Sequence, residues 1–219
     1  MAGSQRFKFQ GTLFQITADF HGDSPSSPIA GITKTNPARV TETSHGRLDG
    51  DVVKIQNVLG MTDVNNDIYI IDVIDANHYD LVGVDARGYN AYVSGGIVDA
   101  ATFSNFCELT GWNRQGGSKP EINATSACSI AAEYELGLQD FGTLQIDFFF
   151  APQTAIQEAI SAFNASGDKM AARFVLPKSG GKRTALGFVQ QVSEQVSVDG
   201  IWTGSLTIRL TGEPYDQAG

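Results

Sequence analysis

Between Thr143 and Leu210 the spacing of apolar residues changes from two to three-to-four and back to two, and few folds accept that order. Leu144, Ile146, Phe148 and Phe150 alternate with Thr143, Gln145 and Asp147, as one strand with one dry face requires. Pro152 then opens a helix, at a position where its missing N–H costs nothing. Thr154 and Gln157 stand at capping-box spacing. Ile156, Ala159, Ile160 and Phe163 form a single helical stripe, and Gly167 sits where a left-handed C-cap belongs. Ala171–Leu176 is a further strand, and Pro177–Arg183 a hairpin loop. Leu186–Val198 reads as a long strand, with Phe188, Val192, Val196 and Val198 inward and Gln191, Ser193, Gln195 and Ser197 outward. Asp199-Gly200 is a hairpin turn signal. Trp202, Gly204, Leu206, Ile208 and Leu210 then alternate with Thr203, Ser205, Thr207 and Arg209. The expectation is a mainly β fold, a β-sandwich or half-barrel with one packed helix.

The upstream residues divide into two textures. Phe7–Thr17 alternates as a strand, and His21–Pro28 is a turn or linker by composition. Ile29–Asp99 then consists of short strands cut by turns: Ala38–Thr43, Val52–Val58, Tyr69–Ile74 and Tyr79–Val82, with Asp63–Asp67 a turn of the Asn/Asp type. Such spacing suggests a small all-β sandwich or barrel. Phe103–Trp112 can form a strand. Residues 113–137 are polar and Gly-rich at their start, too long for an ordinary connection inside a compact domain and therefore expected to be functional or disordered. The domain expectation is a discontinuous core, 1–20 with 100–219, and an inserted β domain over 21–99, placed at a surface loop because such loops tolerate insertion.

No familiar chemistry assembles. Asp63-x-Asn65-x-Asp67 imitates a calcium loop, but Ile68 stands where glycine is required and Ile74 where glutamate is required. Gly180-Gly-Lys-Arg-Thr184 lacks the preceding glycine frame and the following helix of a phosphate loop. His21, His45 and His78 have no partner at metal-ligand spacing, and no nucleophile elbow or Cys-His signature occurs. The sequons at Asn123 and Asn164 matter only on secretion. No catalytic, cofactor or metal residue is nominated, and the chain is not expected to be an enzyme. The net charge of −9 speaks against a protein that grips nucleic acid. No run of about 18 apolar residues exists to span a membrane, and the N-terminus lacks the apolar stretch of a signal peptide. Cys107 and Cys128 are too few for a disulfide framework, so synthesis in a reducing cytoplasm is expected.

The sequence nominates edges instead. A half-open sandwich of long alternating strands exposes unpaired backbone, and joining copies side by side until the sheet closes removes it. The outer strand faces, rich in Gln, Ser and Thr, suit a wall that lines water.

Particular stretches carry a family resemblance. Cys128–Asp147, the helix, Arg173–Pro177, Gly187–Ser193 and Gly204–Pro214 follow one another in the order of the major tail tube subunits of long-tailed bacteriophages. Gly137-Leu-Gln-Asp-Phe-Gly142 and Leu210-Thr-Gly-Glu-Pro214 resemble that family's turn and terminal motifs. The resemblance implies a virion protein made and assembled in the host bacterial cytoplasm. It implies six subunits per ring, stacked rings, an inner β-barrel around a DNA channel, and a helix outside the sheet. Implied partners are further copies of itself, a tape measure protein, and tail-tip and terminator proteins; double-stranded DNA would transit without specific binding. It also implies a long loop reaching the next ring, here residues 113–137, with Arg114, Lys119, Glu121, Glu133 and Glu135 as contact candidates. Lumen candidates are Gln145, Asp147, Gln191, Ser193 and Gln195.

The inserted unit resembles the "first catalytic cysteine half" domain of ubiquitin-activating enzymes, a module that recurs in phage proteins. Gly50–Val53, Val58–Thr62, Tyr69–Val73, Tyr79–Leu81, Gly83–Asp85 and Gly88–Gly96 carry the likeness. The unit holds no cysteine, so no ubiquitin chemistry is implied. Residues 20–99 contain 5 basic and 11 acidic side chains, a net of −6, which fits an acidic coat. The alternative is a non-polymerising tail-tip or surface module that recognises a host glycan or protein, with Tyr89 and Tyr92 as its exposed aromatics.

Overall fold

The computed structural model describes residues 11–20, 27–178 and 180–218. The expected strand residues Phe7–Gln10 and linker residues His21–Ser26 lie outside that set. The described chain is mainly β. In order it forms β1 (Leu13–Asp19), β2 (Ser27–Pro28), β3 (Gly31–Ile32), β4 (Ala38–Thr41), β5 (Val52–Leu59), β6 (Asp67–Asp75), β7 (His78–Leu81), β8 (Ser94–Ala100) and β9 (Thr102–Asn105). It continues with β10 (Leu109–Gln115), β11 (Glu121–Asn123), β12 (Tyr134–Leu136), β13 (Thr143–Phe149), α1 (Ala155–Ser166), β14 (Lys169–Val175), β15 (Lys182–Gln195), β16 (Thr203–Leu210) and β17 (Tyr215–Gln217).

Strands β1, β9, β10 and β13–β17 make one 8-stranded sheet in the order β10-β13-β16-β15-β14-β1-β9, with β17 beside β15. The sheet folds over itself through β15. This 14-residue strand pairs β14 from Lys182 to Phe188 and β16 from Gly187 to Gln195. Between those partners the ladder slips by one residue at Gln190. A slip of one exchanges the two faces of a strand. Val189 and Val192 therefore both reach the core, while Phe188 lies on the opposite face with Arg209, corrected from its expected inward position. Val196 and Val198 also depart from expectation, because β15 ends at Gln195 and both are exposed. Asp199-Gly200 belongs to a wider loop between β15 and β16 rather than a two-residue turn.

The two walls enclose one apolar core. Leu144, Ile146, Phe148, Leu206 and Ile208 of one wall face Phe14, Ile16, Met170, Ala172 and Phe174 of the other. Phe106 bridges them, with its ring 6.2 Å from that of Phe14 and 5.1 Å from that of Phe148. Burial of this kind stabilises by ~25 cal/mol per Å² of apolar area removed from water. The expected Phe103–Trp112 strand is two strands, β9 and β10, on opposite borders of the sheet; Phe106–Glu108 carry the chain across.

Helix α1 adds Ile156 and Ile160 to this core. Thr154 is its N-cap residue, but the reciprocal capping box is not formed. Gln157 reaches further back, accepting from Ala151 N–H at 2.9 Å and donating to the Phe149 carbonyl at 2.9 Å. Gly167 ends the helix in the left-handed conformation, φ 72°.

Strands β2–β8 form the second sheet, β2-β8-β5-β6-β7-β4-β3. Its two borders belong to one bent segment. Ile29 donates to the Gly96 carbonyl at 3.0 Å and Ala30 to the Thr41 carbonyl at 2.8 Å, so the sheet closes into a barrel. Val40, Val53, Ile55, Ile71, Tyr79 and Leu81 fill it. Alternate β6 residues, Ile68 and Ile70, point out of the barrel and are buried with Val52, Phe20 and Ala171 against the first sheet. Polar ties join the two units: Arg173 Nη2 donates to the Gly50 carbonyl at 2.7 Å, Lys169 pairs with Asp67, and Tyr215 OH contacts Asp72 at 3.4 Å.

Candidate assembly surfaces

The five lumen candidates share one face. Antiparallel register places Gln145 beside Thr207 and Thr207 beside Gln191. The next row runs Asp147, Ser205, Ser193, and the last runs Phe149, Thr203, Gln195. These rows cross a plate of four strands, β10-β13-β16-β15. Its other face supplies Leu144, Ile146, Leu206 and Ile208 to the core, so strict alternation makes this one polar. Ser193 and Ser205 hydroxyls lie 2.8 Å apart, and Arg209 at the rim is paired with Asp140 at 2.9 Å.

The plate has two borders without a strand partner among the described residues. One is the outer side of β10, where Thr110, Trp112, Asn113 and Gln115 are exposed. The other is β15 beyond Phe188, where β14 has ended and Gln190, Gln191, Ser193, Glu194 and Gln195 are exposed. Each neighbouring pair across the plate is antiparallel, so β10 and β15 run in opposite directions. Among the described residues, the closed barrel of the second sheet has no comparable border.

The expected loop 113–137 is a strand end followed by an arm. Asn113, Arg114 and Gln115 belong to β10 and pair with Gln145, Leu144 and Thr143. Arg114 is thus corrected from loop to sheet; it shares a face with Leu144 and the core, and its Nε is buried without a partner. Lys119, Glu121, Glu133 and Glu135 do lie on the arm, all exposed, with β11 and β12 forming its two-stranded ladder. Asp140 builds the arm's base: its carboxylate accepts from Gly142 N–H at 2.8 Å. Gly142, φ 85°, lets that strand pass Gln115, whose carbonyl would lie 2.0 Å from any Cβ there.

Sequence reasoning missed the arm's apolar side chains. Ile122, Tyr134, Leu136 and Leu138 are exposed, Leu138 at 93 % and Ile130 at 104 %. A second exposed apolar group is the β15–β16 loop, with Val198 at 102 %, Ile201 at 72 % and Trp202 stacked on Phe150 at 5.3 Å. The signal available was the period of two in Tyr134, Leu136 and Leu138, on a stretch whose flanks are otherwise polar.

Of the weighed residues, Asn65, Asp67, His45 and His78 make contacts within the barrel or to the first sheet. Asn65 accepts from Val58 N–H and donates to the Val58 carbonyl, at 2.8 and 2.9 Å. Asp67 caps Ile68 N–H and binds Lys169. His45 bonds the Asp75 carbonyl, and His78 the Asp75 carboxylate, each at 2.9 Å. Glu42 is fully buried inside the barrel wall, held by a two-point bond from Arg47 at 3.0 and 2.7 Å and by Tyr79 OH at 2.7 Å. Burial, with the Glu42 carboxylate nearby, pushes the Tyr79 phenol well above its ordinary range, so it remains a donor.

Comparison with known proteins finds the model of the "Ubiquitin-activating enzyme E1 FCCH domain" over residues 36–102. A stretch of 87 residues is 34% identical to ubiquitin-like modifier-activating enzyme 1 of Oryctolagus cuniculus. That stretch is 38% of this chain and spans only 8% of the enzyme's length. Among solved structures, the tail of an empty gene transfer agent particle with C6 symmetry is similar at 15% identity and TM-score 0.43, covering 53% of this chain and 87% of that one. The virion of a native gene transfer agent gives 15% and 0.43, over 53% and 89% of the two chains. The SPP1 tail tube gives 12% identity and TM-score 0.42, over 78% of this chain and 79% of that one.

Proposed function

We propose that this chain is a structural, non-enzymatic subunit that polymerises into a tube conducting DNA, the tail tube of a phage virion. One observation carries the reading: a four-stranded plate, polar on one face, ends in two unpaired borders that run in opposite directions. Rotating a copy about an axis along the strands brings its β10 antiparallel to the next copy's β15. Repetition closes one all-antiparallel barrel, which removes both open borders of the plate.

Size decides what such a barrel passes. Six copies give 24 strands, and at ~4.8 Å spacing and ~40° tilt the bore is about 48 Å between backbones, reduced by about 5 Å of side chain on each wall. Three copies would leave about 24 Å between backbones, too narrow for a duplex once side chains are counted. Four or more copies leave room for a duplex on this arithmetic, and six, the number the family resemblance implies, is the ring number we propose. The wall at Gln145, Asp147, Gln191, Ser193 and Gln195 offers a DNA duplex no cation to bind. The barrel of residues 27–100 packs on the far side of the core from this wall, so it decorates the exterior. Tape measure, tip and terminator proteins complete the proposed set of partners.

Negative-stain microscopy of concentrated protein tests the reading. Rings or tubes with a central hole are expected. A monomer at every concentration, binding bacterial cells instead, favours a receptor-binding module.

A further inference from the structure

The arm and the β15–β16 loop lie at opposite ends of the same plate. The arm leaves β10 at Gln115 and rejoins β13 at Thr143; the loop joins Gln195 to Thr203, and Thr203 pairs with Phe149 at the far end of β13. We propose that the arm of one copy seats its apolar residues, Ile122, Ile130, Tyr134, Leu136 and Leu138, on the Val198–Ile201–Trp202 surface of the copy above. This rests on the tube reading and names the receptor of its axial contact.

The areas support a second copy as the occupant. With a fully exposed large side chain at on the order of 200 Å², the arm residues present roughly 800 Å², and Phe149, Val196, Val198, Ile201 and Trp202 present roughly 650 Å². A standard stable interface buries about 800 Å² per partner. Apolar patches of that size seldom stay open on a monomer. Their position at opposite ends makes the contact head-to-tail, so it repeats without limit along one direction. Side-by-side pairing of β10 with β15 runs across that direction and uses neither patch. Rings and stacks thus have separate determinants. Trp202 is held ready by its stack on Phe150, while Val198 and Ile201 gain a dry environment only on stacking.

The test combines substitution and cross-linking. Val198→Asp/Ile201→Asp should fold as the parent does, since both side chains are exposed, and circular dichroism checks this. It should yield single rings where the parent gives tubes, and Leu136→Asp/Leu138→Asp should do the same. Cys128 lies exposed on the arm. In assembled Cys107→Ser/Val198→Cys protein, a short thiol-specific cross-linker should produce a ladder of multimers that vanishes with Cys128→Ser. Parent-like tubes from the loop variant, or tubes that give no ladder, overturn the proposed receptor while leaving the tube reading intact. Absence of both rings and tubes from the parent overturns the two together.

Discussion

The indole of Trp112 lies 4.4 Å from the ring of Phe174, although β10 and β14 stand four places apart in the strand order. The contact closes the seam of the folded sheet opposite β15. Trp112→Ala removes this ring pair and part of the seam, and should cost about 2 kcal/mol: roughly 1 for the aromatic contact and the rest for lost burial. Urea denaturation reads it as a lower midpoint. An unchanged midpoint would show that the walls are held by the core alone.

Arg173 fastens the barrel to the core sheet. It is buried, bonds the Gly50 carbonyl and the Thr184 hydroxyl, and lies 3.9 Å from the centre of the Phe103 ring. Arg173→Ala should destabilise the protein by about 3 kcal/mol, from lost charge-assisted bonds and the cation–π contact. Arg173→Lys should recover little of it, because an ammonium does not reproduce the planar fork. Full recovery by lysine in chemical denaturation would contradict the assigned geometry.

Glu42 and Arg47 form a buried pair in the barrel, with side chains 0% and 9% exposed. Glu42→Ala should cost about 3–5 kcal/mol, because it strands the guanidinium. Combining Glu42→Leu with Arg47→Met should restore most of that loss. Thermal denaturation of the single and double variants separates a stranded charge from simple loss of contacts, for which the double variant would be the weaker.

Three carboxylates set the acid behaviour. Arg87 holds Asp85 down at about 2. Arg183 lowers Asp216, and the Asn77 backbone N–H, aided by His78, lowers Asp75. Each folded value lies below the unfolded one. Their stabilisation is therefore complete above the ordinary carboxylate range near pH 4 and is lost as pH falls toward the folded values. The urea midpoint should show no contribution from these groups between pH 6 and 8 and should drop between about pH 4 and 2. Arg183→Gln should shallow that drop. A midpoint that rises on acidification would reverse the sign and refute the assignment.

The polar wall predicts its own conversion. Gln145→Lys/Gln191→Lys/Gln195→Lys should assemble as the parent does yet retain DNA, with affinity falling steeply as salt rises. Parent tubes should retain none. Equal retention by both would remove these positions from the bore.

Much of this was legible in the sequence because period reports burial. Leu144–Phe150 and Gly204–Leu210 needed only alternation to be placed, and Gly167 named the helix end. The rest depended on partners that local pattern does not encode. The slip at Gln190 reversed Phe188, since a ladder irregularity is decided by two strands together. Strand β8 was missed because it begins Ser94-Gly-Gly, which reads as a turn until β5 pairs with it. Strand β6 showed no alternation to read, because Tyr69 and Ile71 fill the barrel while a second sheet covers Ile68 and Ile70. Gln157 satisfied Ala151 and Phe149 rather than Thr154, a choice made by the tight entry into α1.

The central claim is that β10 of one copy completes the ladder of β15 in the next. A cryo-electron microscopy reconstruction of the concentrated protein tests it most directly. The account predicts a ring whose bore is walled by one unbroken antiparallel sheet, with Gln145, Asp147, Gln191, Ser193 and Gln195 facing the hole. An assembly in which β10 and β15 both face solvent, or in which residues 27–100 line the hole, would contradict it.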